Sequence, residues 1–125
     1  MPKNQTVLIV DDYPDLLITV SRMLRRSGYS KVFQAENGLD CIQLAKENII
    51  DRILLDISMP GISGLETCRI LRSTAMNKGA RIVACTAHAN ERHRDTFFEA
   101  GFNDALFKPF GFQELMDKLM QSPIK

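Results

Sequence analysis

The sequence predicts an α/β protein, a doubly wound five-stranded parallel sheet with helices on both faces. Three observations predict it. Apolar periodicity switches repeatedly between short β-branched runs and segments with helical spacing. The three strongest runs, TVLIV (6–10), RILLD (52–56) and RIVACT (81–86), are apolar at successive positions, as strands covered on both faces must be. Strand and helix then alternate as (βα) five times over, which calls for parallel strands joined by right-handed crossovers.

Each element has its own signal. After the first strand, Pro14 suits a first helical turn, Leu16, Val20, Met23 and Leu24 form a stripe, and Gly28 stops the helix. KVFQA (31–35) is a weaker second strand, and Cys41, Ile42 and Ala45 mark the helix that follows it. Leu65, Cys68 and Leu71 mark the third helix, after the strand at 52–56. ANERHRDTFFEAG (89–101) supplies a polar-faced fourth helix ending at Gly101, and DALF (104–107) is a short fifth strand. Phe112, Leu115, Met116 and Leu119 form the last stripe, with Met116 and Met120 turned toward the core.

A length of 125 residues without linker or composition break suits one domain, 1–125, around a single core. Sixteen basic against fifteen acidic residues leave no bulk charge to draw the chain to nucleic acid or lipid. No apolar run nears the roughly 20 residues that cross a bilayer, and the N-terminus does not read as a signal peptide. Cys41, Cys68 and Cys85 are odd in number, lack a CxxC pair and lie in periodic apolar segments. Reduced, buried thiols of a cytoplasmic protein are expected, without zinc. Arg22, Arg25 and Arg26 form a basic cluster on the first helix, expected as a solvated face.

Ligands of open α/β sheets gather beyond the carboxyl ends of the strands. Asp11 and Asp12 end the first strand, Asp56 the third and Thr86 the fourth, and Lys108 follows the fifth. Asp12 could also cap the first helix. Three carboxylates brought together repel, and a divalent cation removes the conflict. A few oxygen ligands completed by water suit Mg2+ better than zinc. Metal, ammonium and hydroxyl together are also the parts of phosphoryl transfer, with a carboxylate as nucleophile forming an acyl phosphate. Asp56, at the end of the central strand and followed by ISMPG, is the best placed acceptor.

VDD (10–12), LLDISMPGISG (54–64), CTAHA (85–89) and LFKPF (106–110) together resemble the receiver domain of bacterial two-component response regulators, in order and over the whole chain. The resemblance implies a flavodoxin-like sheet of strand order 2-1-3-4-5. It implies that Asp56 accepts phosphate from a histidine kinase or a histidine phosphotransfer protein. Asp12, Asp56 and the Ser58 backbone carbonyl would bind magnesium, with Asp11 helping through water. Thr86 and Lys108 would hold phosphoryl oxygens, and Pro109 would follow a cis peptide bond. Ala87 would leave room for the phosphoryl group, while Ser58 and His88 would tune its lifetime. Such a domain catalyses only its own phosphorylation and dephosphorylation. It would work as a monomer or a phosphorylation-dependent dimer. With MDKLMQSPIK ending the sequence soon after the last helix, no output domain is expected in this chain, whether it is a stand-alone regulator or a receiver cut from a longer protein.

One position departs from the family's pattern. Receivers usually carry Tyr or Phe three residues before the lysine, as a ring that turns inward behind the threonine, and here that position is Ala105. A phosphorylation-independent interaction module is therefore the alternative reading. A phosphatase of the haloacid-dehalogenase type would want an acid at position 58, where Ser58 stands, and no GxxxxGK[ST] loop is present for a nucleotide.

Overall fold

The structure is a computed structural model that describes residues 4–74, 77–87 and 94–121. Elements alternate as expected: β1 (Thr6–Val10), α1 (Pro14–Arg26), β2 (Lys31–Ala35), α2 (Gly38–Glu47), β3 (Arg52–Asp56), α3 (Gly64–Ser73), β4 (Arg81–Thr86), α4 (Arg94–Ala100), β5 (Asp104–Phe107) and α5 (Phe112–Leu119). The strands form one parallel sheet in the order β2-β1-β3-β4-β5. The first part of the predicted fourth helix, 89–93, lies outside the described residues. No helix among the described residues is long and apolar enough to cross a membrane.

Two-residue periodicity divides each central strand between two cores. Val7 and Ile9 of β1, Leu54 of β3, and Val83 and Cys85 of β4 face the layer built by Leu17, Val20 and Leu24 of α1 and Leu115 and Leu119 of α5. Leu8, Val10, Ile53, Leu55, Ile82 and Ala84 face the opposite way, onto Cys41 and Ala45 of α2, Cys68 and Leu71 of α3, and Phe97 and Ala100 of α4. β1, β3 and β4 are buried at every residue, whereas the edge strands β2 and β5 are only partly covered. All three cysteines are buried free thiols.

Two stripes are corrected by the packing. In α1, Leu17 and Ser21 are buried with Val20 and Leu24, while Leu16 and Met23 are half-buried. The polar Ser21 is tolerated there because its hydroxyl accepts a hydrogen bond from Gln34 Nε2 at 2.9 Å. In α5, Phe112 is 44% exposed, because buried contact begins only at Leu115, one turn later. Arg22, Arg25 and Arg26 are exposed as expected, and Arg25 spends its guanidinium on the carbonyl oxygens of Ser30 and Val32.

Register positions the functional edge. Val10 pairs with Leu55, so Asp11 and Asp56, each the next residue, emerge at one level from adjacent strands. Asp56 pairs with Cys85 and Thr86 with Phe107, and the Lys108 N–H donates to the Thr86 carbonyl at 2.8 Å. The opposite edge is pinned by two buried arginines that open neighbouring strands. Arg52 donates to the carbonyls of Leu119 and Gln121, and Arg81 to that of Lys118, holding the end of α5 under the sheet.

Leu115 is fully buried between α5 and the sheet. Leu115→Ala is expected to destabilise the protein by about 2–5 kcal/mol in urea unfolding, and Phe112→Ala by about 1 kcal/mol or less. Equal losses at the two positions would contradict this account of the α5 contact.

Candidate functional site

At the carboxyl edge, Asp11, Asp12 and Asp56 each offer one oxygen to a cluster whose members all lie within 4.8 Å of one another. Asp11 and Asp56 are buried and Asp12 is exposed, so the cluster opens to solvent on one side only. Each buried carboxylate is held by a backbone N–H through its Oδ1: Asp11 accepts from Tyr13 at 2.9 Å and Asp56 from Ser58 at 3.1 Å. Each Oδ2 faces the Lys108 ammonium, at 2.8 Å from Asp11 and 3.7 Å from Asp56. The bond from Tyr13 also explains why Asp12 does not cap α1. The N-cap position belongs to Tyr13, whose side chain makes no capping bond, and it is Asp11 that secures this turn.

Burial and like charge dominate the electrostatics. Burial, and then the neighbouring Asp11 charge, push the Asp56 carboxyl up to about 6, although Lys108 and the Ser58 N–H pull the other way. Burial works against the Lys108 ammonium, but its hydrogen bond to Asp11 and the charges of Asp56 and Asp11 outweigh it and raise its pKa. Beneath the site, burial pushes the Cys85 thiol up to about 12, which keeps it protonated and inert.

The donor set fits a hard divalent cation. All three side-chain ligands are oxygens. Asp11 Oδ2, beyond its contact with Lys108, has no hydrogen-bond partner among the described residues, so acceptor capacity remains on a buried anion. The acidic cluster can therefore bind a metal.

The other expected residues fall as follows. Thr86 is buried at the end of β4, while Ser58 and Ala87 are exposed beside the acids. The Lys108–Pro109 peptide bond is cis. Ala105 sits half-buried in β5 opposite Ala84, packed against the core that faces α4, with its N–H donated to Asp104 Oδ1 at 2.8 Å. His88 lies outside the described residues. Sequence reasoning did not anticipate the cavity of about 720 Å³ that continues from the acids between α1 and the chain after β5. Tyr13, Leu16, Thr19 and Met23 line it from one side and Pro109 and Phe110 from the other. Their sequence separation hides that convergence, which only the docking of α1 and α5 on one sheet face creates.

With this geometry in place, comparison with known proteins identifies the class. Residues 7–120 match the family model of the response regulator receiver domain, and the chain belongs to that family. It is 38% identical over 114 residues to the transcriptional regulatory protein ResD of Bacillus subtilis (strain 168), covering 90% of this chain and 46% of that protein. It is 30% identical over 117 residues to the chemotaxis protein CheY-3 of Vibrio cholerae, covering 94% of this chain and 90% of that one. Among solved structures, the receiver domain of a sensor histidine kinase from Pseudomonas aeruginosa PAO1 superposes with a TM-score of 0.82 at 32% identity, covering 91% of this chain and 93% of that one. That structure holds a magnesium ion coordinated in its active-site cleft. The chain spans about half the length of the first curated relatives it matches, 48% and 46%. The family's members are signalling domains rather than conventional enzymes.

The raised Asp56 carboxyl carries a stability consequence with a definite sign. In the metal-free fold it keeps its proton up to about pH 6, whereas the unfolded chain releases it near 3.8. The folded state thus binds this proton more tightly, so the Asp56 contribution falls as pH rises through that window and is flat above it, a loss on the order of 3 kcal/mol. Melting curves without divalent metal should show the stability of wild type relative to Asp56→Asn declining between about pH 4 and 6. A pH-independent difference between the two proteins would remove this account.

Proposed function

We propose that the domain, taken over 1–125, is the phosphoacceptor switch of a two-component or phosphorelay system, and that Asp56 is the residue phosphorylated. The observation that carries this reading is the convergence of Asp11, Asp12, Asp56 and Lys108 on one pocket at the carboxyl edge of the sheet. The donor is a phosphohistidine on a histidine kinase or histidine phosphotransfer protein. Free buried thiols suit a reducing cytoplasm for the exchange.

Asp56 is ionised at neutral pH, and one of its oxygens attacks phosphorus in line with the bond to the donor's imidazole. The new P–O bond forms as the P–N bond breaks, and the ring nitrogen leaves with the bonding pair. Asp12, Asp56 and the Ser58 carbonyl would hold a magnesium ion, with Asp11 helping through water, and the ion would supply positive charge to the phosphoryl oxygens. Lys108, already within 3.7 Å of Asp56, pairs with one phosphoryl oxygen, and the Thr86 hydroxyl donates to another. Ala87, small and exposed beside the pocket, leaves the phosphoryl group room. Attack of water on the acyl phosphate returns the carboxylate and releases phosphate, a step whose rate the side chains of Ser58 and His88 tune.

Incubation with acetyl phosphate and magnesium should add one phosphoryl mass to the intact protein, and Asp56→Asn should take none. Undiminished labelling of that variant would refute Asp56 as the acceptor. Ala105 favours a second reading, because a methyl group cannot report movement of Thr86 as a swinging ring does. Under that reading the surface presented to partners is the same in both states. Amide spectra with and without beryllofluoride separate the two. Shifts extending beyond the pocket into α4, β5 or α5 support a switch, and shifts confined to the pocket support a phosphorylation-independent module.

A further inference from the structure

We propose that Gly64 is a positioning residue for the phosphoacceptor. Its missing side chain lets the start of α3 seat directly against the backbone of Asp56, and this seat fixes the rotation of the Asp56 carboxylate. The proposal rests on the reading of Asp56 as phosphoacceptor.

The first observation is space. A Cβ at position 64 would collide with the carbonyl oxygen of Asp56 and would lie 2.7 Å from Ile57 Cα. Both obstacles are backbone atoms, at and just beyond the end of β3, the central strand of the sheet. They cannot turn aside as the tip of a side chain can, so either α3 or the strand end must move. Gly64 differs in this from Gly61 in the same loop, whose φ of +81° calls for glycine although nothing lies within 4 Å of its Cβ position.

The second observation is a short run of hydrogen bonds leading from that seat to the reacting group. The Gly64 N–H donates to the Ile57 carbonyl at 3.1 Å. The Ile57 N–H donates to the Cys85 carbonyl at 3.0 Å, so residue 57 is held through both its N–H and its C=O, in the two successive peptide groups that flank it. The next N–H, that of Ser58, donates to Asp56 Oδ1 at 3.1 Å and leaves Oδ2 toward Lys108. The seat itself is anchored, since Ser63 caps α3 by accepting the Glu66 N–H at 3.1 Å. A side chain at position 64 forces apart the two segments this run joins. The Ser58 N–H then no longer lies where it sets the carboxylate, and the Ser58 carbonyl leaves the place from which it would hold the metal.

Gly38 supplies a matched control. A Cβ there would also collide, but with the side-chain hydroxyl of Thr67, and would lie 3.3 Å from Ile62 Cβ and the Ile62 carbonyl. Gly38→Ala therefore crowds the α2–α3 contact without touching the backbone of Asp56. The test compares Gly64→Ala, Gly38→Ala and wild type at a temperature where all three are folded. It reads the Ser58 amide resonance without metal, magnesium affinity by calorimetry, and the rate of labelling by acetyl phosphate.

For Gly64→Ala we expect a displaced Ser58 amide resonance, magnesium binding weakened about tenfold, and labelling slowed on the order of a hundredfold, the scale of an ångström misplacement of reacting groups. Gly38→Ala should keep its Ser58 resonance and stay within about twofold on both other measures. Wild-type magnesium affinity and labelling in Gly64→Ala would overturn the proposal, as would equal losses in Gly38→Ala. If wild type itself takes no phosphoryl group, the phosphoacceptor reading fails, while the Ser58 resonance and magnesium affinity still decide the role of Gly64. Should Gly64→Ala not fold, hydrogen exchange of wild type decides instead. Protection of the Gly64 amide comparable to that of Ile57 supports the seat, and exchange as fast as at exposed Gly61 rejects it.

Discussion

Two buried carboxylates side by side are the constraint around which this domain is organised. Asp11 and Asp56 leave adjacent strands at the same level and cannot both be comfortable as anions in a low-dielectric edge. Each is stabilised by one backbone N–H and by the shared Lys108 ammonium, and even so the Asp56 carboxyl is pushed up to about 6. The remaining demand for positive charge is what lets the acidic cluster bind a cation. A protein built for stability alone would not keep this arrangement, since apolar residues of similar size pack there at no electrostatic cost.

The rest of the fold serves to hold that edge. Parallel register delivers the acids, the hydroxyl and the ammonium to one edge of the sheet, and two separate cores clamp the sheet from both faces. Buried polar side chains tie the far edge, where Arg52 and Arg81 grip the end of α5 and Asn77 receives the Ile50 N–H at 2.7 Å. Close packing at Gly64 brings the start of α3 against the end of β3 itself. Reactive groups can then be set by backbone atoms, which move little, rather than by flexible neighbours.

Ala105 stands in β5 opposite Ala84 and is not one of the acids and the lysine that meet in the pocket. Nothing in the pocket depends on a ring at this position, because Asp11, Asp12, Asp56 and Lys108 meet without it. The residue instead lies in an edge strand, packed into the core that faces α4. Membership of the receiver family therefore bears on the pocket more strongly than on the signal that leaves it.

Much of the molecule was legible in the chain itself. β-branched runs ending in acids, helical stripes between them and glycines at helix ends are local signals, and local signals survive without knowledge of neighbours. The five strands, their alternation with helices and the set of polar residues at strand ends were accordingly determined by sequence alone. Tertiary structure decided what depends on who lies opposite. It exchanged Leu16 for Leu17 on the buried face of α1, turned Phe112 outward, moved the capping role from Asp12 to the Asp11–Tyr13 turn, and opened a cavity between α1 and the chain after β5. It also decided that Gly64 is required by space rather than by backbone conformation. The physical reason is common to all of these: periodicity specifies which face of an element is apolar, but the atoms that meet across faces are set by register and packing, and these appear only when distant segments come together.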